Sequence, residues 1–68
     1  MKISEKIVIL RKRMGYSQED LANELDISRQ SVYKCETDAA VPDLTKIKKM
    51  AKLFNVSFDK LLHDKIDI

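Results

Sequence analysis

Residues 18–35 read QEDLANELDISRQSVYKC and contain two short apolar patterns separated by a tight turn. Within each pattern the apolar residues recur at helical spacing, so both segments are predicted to be helices with one buried face. A small residue, Ala22, lies where two steeply crossing helices must bring their backbones together. The apolar positions are, in chain order, Leu21, Ala22, Leu25, Ile27, Val32 and Cys35.

This spacing is that of a helix-turn-helix, a motif whose second helix can lie in the major groove of DNA. Before it, a first helix is predicted from Ser4, as N-cap, to about Met14. Its buried stripe is predicted to be Ile7, Leu10 and Met14. Gly15 is the one glycine of the chain, and we expect it to end this helix in the left-handed conformation.

The ends of helices 2 and 3 are marked by polar residues. Ser17, with Asp20 three residues later, predicts a capping box at the start of helix 2. Asp26 is expected to take the turn in the left-handed region, where Asp costs about 1 kcal/mol relative to Gly. Ser28 is the predicted N-cap of helix 3, which continues to about Glu36.

The second half of the chain predicts two more helices. Helix 4 follows Pro42, with Asp43 as its N-cap, and ends at Asn55. Helix 5 follows Ser57 as its N-cap, and residues 63–68 are either a tail or a sixth short element. The apolar positions predicted to be buried in helix 4 are Leu44, Ile47, Ala51 and Phe54, and helix 5 carries the apolar residues Phe58, Leu61 and Leu62.

Length and composition limit the function classes. A chain of 68 residues has room for one small domain and a compact core, but not for a deep catalytic cleft. One Gly and one Pro favour an all-helical fold, and a single cysteine, which can form no internal disulfide, fits a reducing cytoplasm. The apolar run of residues 7–10 is too short for a signal peptide or a membrane span. The net charge of +2 does not by itself indicate nucleic acid.

Taken together, the chain resembles the Cro/C1-type helix-turn-helix family, also called the xenobiotic-response-element type, from about residue 5 to residue 62. The resemblance implies a compact all-α, five-helix, lambda-repressor-like domain, which we expect over residues 1–62. Residues 63–68 are expected to be a C-terminal tail that is a candidate for the dimer contact. It also implies binding of double-stranded DNA as a homodimer, and usually transcriptional repression, without a cofactor. The matching pieces are Gly15-x-Ser17-Gln18-x-x-Leu21-Ala22, Ile27-Ser28-Arg29-Gln30-Ser31-Val32, Glu36, Val41-Pro42-Asp43-Leu44 and Phe54-Asn55-Val56-Ser57-Phe58-Asp59-x-Leu61-Leu62.

The chain departs from the family pattern at three places. Asp26 stands where the family usually has Gly in the turn, and Cys35 stands where it often has Trp. The smaller Cys35 leaves core volume that its neighbours must fill by repacking. The loop at residues 37–40 lacks the usual Asn-Gly-Lys, which weakens the backbone contact expected there.

The outer face of helix 3 is the candidate reading surface. At 100° per residue, Ser28, Val32 and Cys35 fall toward the core, while Arg29, Gln30, Tyr33, Lys34 and Thr37 fall on the other side. Arg matches the two acceptors of guanine and Gln matches the adenine edge, whereas an ordinary solvated helix face is the alternative. The expected base-reading residues are Ser28, Arg29, Gln30 and Tyr33.

The resemblance implies that Gln18 binds a DNA phosphate, helped by the positive end of the helix 2 dipole. The alternative is that Gln18 is an ordinary residue of the first helical turn. Lys34 suits a phosphate better than a base. The expected contacts to the DNA backbone are Ser17, Gln18, Lys34 and Thr37. The lysines of helix 4 could also meet DNA, but a solvated outer face is favoured for them; they are Lys46, Lys48, Lys49 and Lys52.

Arg11 and Glu36 match the positions at which the family forms a largely buried salt bridge, with two independent surface charges as the alternative. For Cys35 a small buried hydrophobe is favoured over a redox sensor. His63 has no second His nearby, so no metal site is expected, and no catalytic pattern is present.

A single recognition helix reads about four to six base pairs, too few to specify one promoter, so a homodimer on two half-sites is expected. The candidate interface residues are Leu53, Leu62, Ile66 and Ile68, although the tail could equally fold back on its own domain. The leading hypothesis is a cytoplasmic, sequence-specific DNA-binding repressor with no small-molecule ligand, membrane contact or enzymatic activity. The alternatives are a protein-binding module, such as an antitoxin or accessory subunit, and a structural helical bundle.

Overall fold

The computed structural model describes residues 1–68 and contains five α-helices joined by turns. The helices are α1 (Ile3–Arg13), α2 (Gln18–Leu25), α3 (Arg29–Glu36), α4 (Leu44–Phe54) and α5 (Phe58–Leu62). Helix α3 packs against α2 and α1, while α4 packs against α5 and α2, and α5 also meets α1. The predicted all-α architecture, with a helix-turn-helix formed by α2 and α3, is therefore confirmed. None of the five helices combines the length and the apolar character that a membrane crossing requires.

The core draws buried apolar side chains from all five helices. Helix α3 contributes one fully buried residue, Val32, whereas α2 and α4 contribute several each. A domain of this size buries only about 60% of the surface of its unfolded chain, so few of these contacts can be lost without unfolding it. The buried apolar residues are Ile7, Leu10, Leu21, Ala22, Leu25, Val32, Ile47, Met50, Ala51, Phe54 and Leu61.

Three helices end in the same backbone turn. Helices α1, α2 and α4 are followed by a residue in the left-handed region, which is Gly15 (φ 74°), Asp26 (φ 56°) or Asn55 (φ 57°). The next residue donates its backbone N–H to a carbonyl five residues earlier, at 3.0–3.1 Å in each case. These are Schellman turns, and each one tucks a half-buried apolar residue against the core. The three donor–acceptor pairs are Tyr16–Arg11, Ile27–Ala22 and Val56–Ala51.

Four helices begin with the predicted side-chain caps. Ser17, Ser28, Asp43 and Ser57 each accept a hydrogen bond from the backbone N–H three residues later, at 2.8–3.1 Å. At α2 the capping box is complete, because the Asp20 carboxylate accepts the Ser17 N–H at 2.9 Å. That hydrogen bond, with the Ser17 hydroxyl, holds the pKa of Asp20 below its ordinary value. These caps satisfy backbone donors that the first helical turn leaves unpaired.

Three predictions about helix ends are wrong. Helix α1 begins one residue before Ser4, whose side chain is buried instead of capping. Met14 is 43% exposed, because the chain turns away at Gly15 and leaves the end of the buried stripe uncovered. Leu44 is 59% exposed, since side chains lean toward the N-terminus of a helix and the first residue of α4 therefore projects past the core.

Lys6 holds the C-terminal segment against the domain. Its side chain is completely buried, and its ammonium group donates to the backbone carbonyls of Lys60 and His63. A cation at the last carbonyls of a helix is favoured by the helix dipole. Residues 63–68 form turns rather than a sixth helix, and Ile68 packs against the core.

We expect Asp26→Gly to raise the free energy of unfolding by about 0.5–1 kcal/mol, because glycine occupies the left-handed region without a clash at Cβ. The Asp26 side chain makes no hydrogen bond or ion pair that the substitution would remove, and Asp26 itself is exposed. Urea unfolding followed by circular dichroism measures the change, with Asp26→Ala as the matched control that lowers stability. A loss of stability in the glycine variant would contradict the interpretation of this turn.

Candidate nucleic-acid interface

The face of α3 opposite Val32 is polar and exposed. Arg29, Gln30 and Lys34 are exposed, and Tyr33 presents 56% of its surface to solvent. Val32, by contrast, is 1% exposed and anchors the other side of the helix. The structure therefore orients this helix as the sequence predicted, with hydrogen-bond donors directed away from the core.

The start of α2 lies beside the first half of α3. Gln18, Arg29, Gln30 and Tyr33 line one shallow depression on the surface. Gln18 is the first residue of α2, so the unpaired backbone donors and the positive end of that helix dipole lie beside it. The arrangement brings a predicted phosphate-binding residue next to three predicted base-reading residues.

The carboxylate of Glu36 joins α1, α2 and α3. Its Oε2 accepts from Arg11 Nε at 2.6 Å, and its Oε1 accepts from Arg11 Nη2 at 3.1 Å. Oε1 also accepts from Gln18 Nε2 at 3.1 Å. The side chains of Arg11 and Glu36 are only 12% and 4% exposed, so this is a bidentate ion pair almost shielded from water. Gln18 keeps one amide N–H free for an external acceptor.

Arg11 also connects the pair to the turn after α1. Its Nη1 donates to the backbone carbonyl of Tyr16 at 2.8 Å, directly before the cap of α2. The sequence suggested the Arg11–Glu36 pair through the family resemblance, but the bond between Gln18 and Glu36 was missed. Those two residues are 18 positions apart on different helices, and no local spacing signals their contact.

The hydroxyl groups at this surface differ in what they can donate. The Ser17 oxygen accepts from the Asp20 N–H, which leaves its own hydrogen free. Thr37 donates its hydroxyl to the carbonyl of Tyr33 at 2.9 Å, so a phosphate contact requires the group to rotate. The Ser28 hydroxyl lies 2.9 Å from the Ser31 hydroxyl, and each can donate to the other.

The helical-wheel position of Ser28 is wrong, because the residue is exposed rather than directed toward the core. As N-cap it has an extended backbone (φ −76°, ψ 154°), so the 100° step of the helix does not apply to it. Its side chain therefore lies at the solvent edge of α3, where its hydroxyl meets that of Ser31.

Cys35 lies behind the reading surface and is half-buried. Burial raises the pKa of its thiol, and the nearby Glu36 carboxylate raises it further. The group is therefore a neutral thiol at pH 7, as expected of a small hydrophobe. No three His, Cys, Asp or Glu side chains lie close enough together to hold a metal ion.

The predicted dimer residues fall into two groups. Leu53, Leu62 and Ile68 are half-buried against the core of their own domain, whereas Ile66 is 40% exposed. On α4, Lys46 donates to the carbonyl of Leu25 at 3.1 Å and thereby ties α4 to the end of α2. The other three lysines of α4 are exposed.

Comparison with known proteins supports the motif. A family model described as helix-turn-helix matches residues 7–61. The chain is 36% identical to the HTH-type transcriptional activator BcrR of Enterococcus faecalis, over 91% of this chain and 30% of that protein. It is 33% identical to the cryptic phage CTXphi transcriptional repressor RstR of Vibrio cholerae, over 90% of this chain and 54% of that protein. The chain thus spans 30% of the length of the first relative and 54% of the length of the second.

A solved structure shows the same fold bound to DNA. SinR of Bacillus subtilis, described as the master regulator for biofilm formation, has been solved in complex with DNA. It superimposes on this chain with a TM-score of 0.81 and 26% sequence identity, over 90% of this chain and 98% of that one. The compact five-helix arrangement is therefore the one found in a DNA-bound regulator.

We expect Arg11→Met to lower the free energy of unfolding by about 3–5 kcal/mol, because it leaves the buried Glu36 carboxylate without its cation. Replacing both partners, as in Arg11→Met with Glu36→Leu, should recover much of this loss, since no buried charge then remains. Urea unfolding measures both variants.

The matched control for that experiment is Lys2→Met. Lys2 and Asp38 form an ion pair at 3.1 Å, but their side chains are 65% and 50% exposed. Exposed pairs contribute little, so the midpoint of unfolding should hardly change. If Arg11→Met lowered the free energy of unfolding no more than Lys2→Met does, the buried ion pair would not be what fixes α3 against α1.

Proposed function

We propose, because the chain belongs to the Cro/C1-type helix-turn-helix family, that it is a transcriptional regulator that binds a specific DNA operator through α3. The operator is a near-palindrome read by a homodimer, with one α3 in the major groove at each half-site. Occupation of promoter DNA would repress transcription. The protein acts in the cytoplasm, where bacterial DNA is accessible to it, and needs no cofactor.

The observation that carries this proposal is the outward orientation of Arg29, Gln30 and Tyr33. A guanidinium can donate to both O6 and N7 of guanine, and a carboxamide can pair with N6 and N7 of adenine. The Tyr33 ring can contact a thymine methyl group or its hydroxyl can bind a phosphate. Val32 fixes the opposite side of α3 in the core, so the helix presents these groups on a rigid base.

Phosphate contacts would set the position of α3 in the groove. Gln18 has a free amide N–H at the start of α2, Ser17 has a free hydroxyl hydrogen, and Lys34 extends from α3 without an intramolecular partner for its ammonium group. Phosphate contacts fix register and carry no sequence information, which leaves specificity to the base-reading residues. Thr37 can contact a phosphate only after its hydroxyl breaks the hydrogen bond to the Tyr33 carbonyl.

Dimerisation would use apolar surface near the C-terminus. Ile66 is the most exposed of the four candidates, and Leu53, Leu62 and Ile68 are half-buried against the core. A two-fold dimer places two α3 helices one DNA turn apart, about 34–36 Å, which sets the spacing of half-sites near 10 base pairs. One chain alone contacts too few base pairs to select a promoter.

On an operator obtained by selection from random DNA, we expect Gln30→Ala to weaken binding by about 1–3 kcal/mol and to relax base preference at one position of each half-site. The loss arises because the carboxamide no longer pairs with a base edge. Fluorescence anisotropy on the operator and on single-base variants of it measures the effect. Equal weakening on every sequence would show that Gln30 does not read a base.

We expect Lys34→Ala to weaken binding to all sequences alike and to flatten the dependence of log K on log salt by about one unit, because one phosphate contact and its released counterion are lost. Lys52→Ala on α4 is the matched control, since it removes the same charge from an exposed site away from α3. An unchanged slope for Lys34→Ala, or an equal change for both variants, would remove Lys34 from the contacts to the DNA backbone.

A further inference from the structure

A cavity of about 220 Å³ lies behind α3, on the side away from the reading surface. Eight of the twelve residues that line it are hydrophobic. The walls come from the end of α2 and its turn, from the inner side of α3, and from the start and middle of α4. It reaches the surface beside Val41, which is 75% exposed. The main lining residues are Leu25, Ile27, Val32, Cys35, Pro42 and Met50.

The size of the cavity is sufficient for a small ring compound. An apolar cavity of about 150 Å³ lined by Leu, Ile and Phe stays dry and takes up benzene, so this one is larger than needed for a single ring. Cys35 forms part of its wall, at the position where the resemblance leads one to expect an indole side chain.

Both charged side chains at the cavity bond to neutral backbone groups. The Asp43 carboxylate accepts the backbone N–H of Lys46 at 2.8 Å, and the Lys46 ammonium donates to the carbonyl of Leu25 at 3.1 Å. The acid and the base are of opposite sign, so the lining carries no net charge that would offset the lost hydration of a charged guest. The chemistry favours a neutral guest.

The side chains also favour an aromatic guest over an aliphatic one. Cys35 and Met50 both line the cavity, and sulfur makes favourable contacts with aromatic rings at about 5 Å. The hydroxyl of Ser31 is the one neutral polar side-chain group in the lining and can accept from a ring N–H or O–H.

We propose that this cavity is a binding site for a neutral aromatic molecule of one or two fused rings. The site is separate from the outer face of α3, so it can be filled while Arg29, Gln30 and Tyr33 remain exposed. The inference goes beyond the proposed DNA binding and does not depend on it.

Indole is the probe for the test, and nuclear magnetic resonance of methyl groups is the first measurement. Indole should shift the methyl signals of Ile27 and Val32 in a saturable manner. Leu61 lies in α5, is fully buried and does not line the cavity, so its methyl signals should not move. The absence of any shift at Ile27 and Val32, or an equal shift at Leu61, overturns the proposal.

Cys35 supplies a second reporter, because it is the one cysteine of the chain and lines the cavity. Indole at ten times its dissociation constant should slow the reaction of the thiol with a disulfide reagent about tenfold, since only the empty protein reacts. An unchanged rate under conditions where the methyl signals saturate would place indole elsewhere and would contradict the assignment.

Two substitutions at the same residue should have opposite effects. Cys35→Trp fills the cavity with its own indole and should abolish the methyl shifts, whereas Cys35→Ala enlarges the cavity and should preserve them. Binding of indole to folded Cys35→Trp with unchanged affinity overturns the proposal. If that variant does not fold, the methyl shifts and thiol protection of the unmodified chain decide the question alone.

Discussion

The buried carboxylate of Glu36 is the constraint on which the arrangement of the first three helices depends. It sits at the end of α3 and is met by Arg11 of α1 and Gln18 of α2. A charge that is 96% removed from solvent must be paired, so these partners have little freedom to move apart. The relative orientation of α3 and the start of α2, and with it the spacing of the groups that face outward, follows from this one acceptor.

This polar junction matters because α3 has so little hydrophobic attachment. Val32 is its one fully buried residue, and Cys35 and Ser31 are half-buried. A helix that must expose Arg29, Gln30, Tyr33 and Lys34 cannot also carry a wide apolar stripe. In α4, four buried side chains fix the orientation of the helix. In α3, the ion pair at its end and the N-cap at its start take that role. The reading residues are consequently free to vary without loss of the core.

Two of the three departures of this chain from its family, those at Asp26 and Cys35, have different physical consequences. Asp26 replaces Gly in the turn, and the backbone simply adopts the left-handed conformation there, with the hydrogen bond from Ile27 to Ala22 intact at 3.0 Å. The substitution at this position therefore affects only the conformation of the turn. Cys35 stands where the family often has a much larger side chain, and it lines the cavity between α2, α3 and the start of α4. The expectation of no small-molecule ligand rested on the lack of a recognisable effector or ligand domain in 68 residues, and it stays a prediction.

The sequence by itself determined the helices, their caps and the outward face of α3. Those features depend on interactions within about four residues: the Ser17 and Ser28 caps, the left-handed turns at Gly15, Asp26 and Asn55, and the periodicity around Val32. Only the tertiary structure decided which surfaces meet. Gln18 contacts Glu36, and Lys6 donates to the carbonyls of Lys60 and His63, because both outcomes depend on where a distant helix lies. Local hydrogen bonds leave a signature in residue spacing, whereas contacts between helices are fixed by how their faces pack.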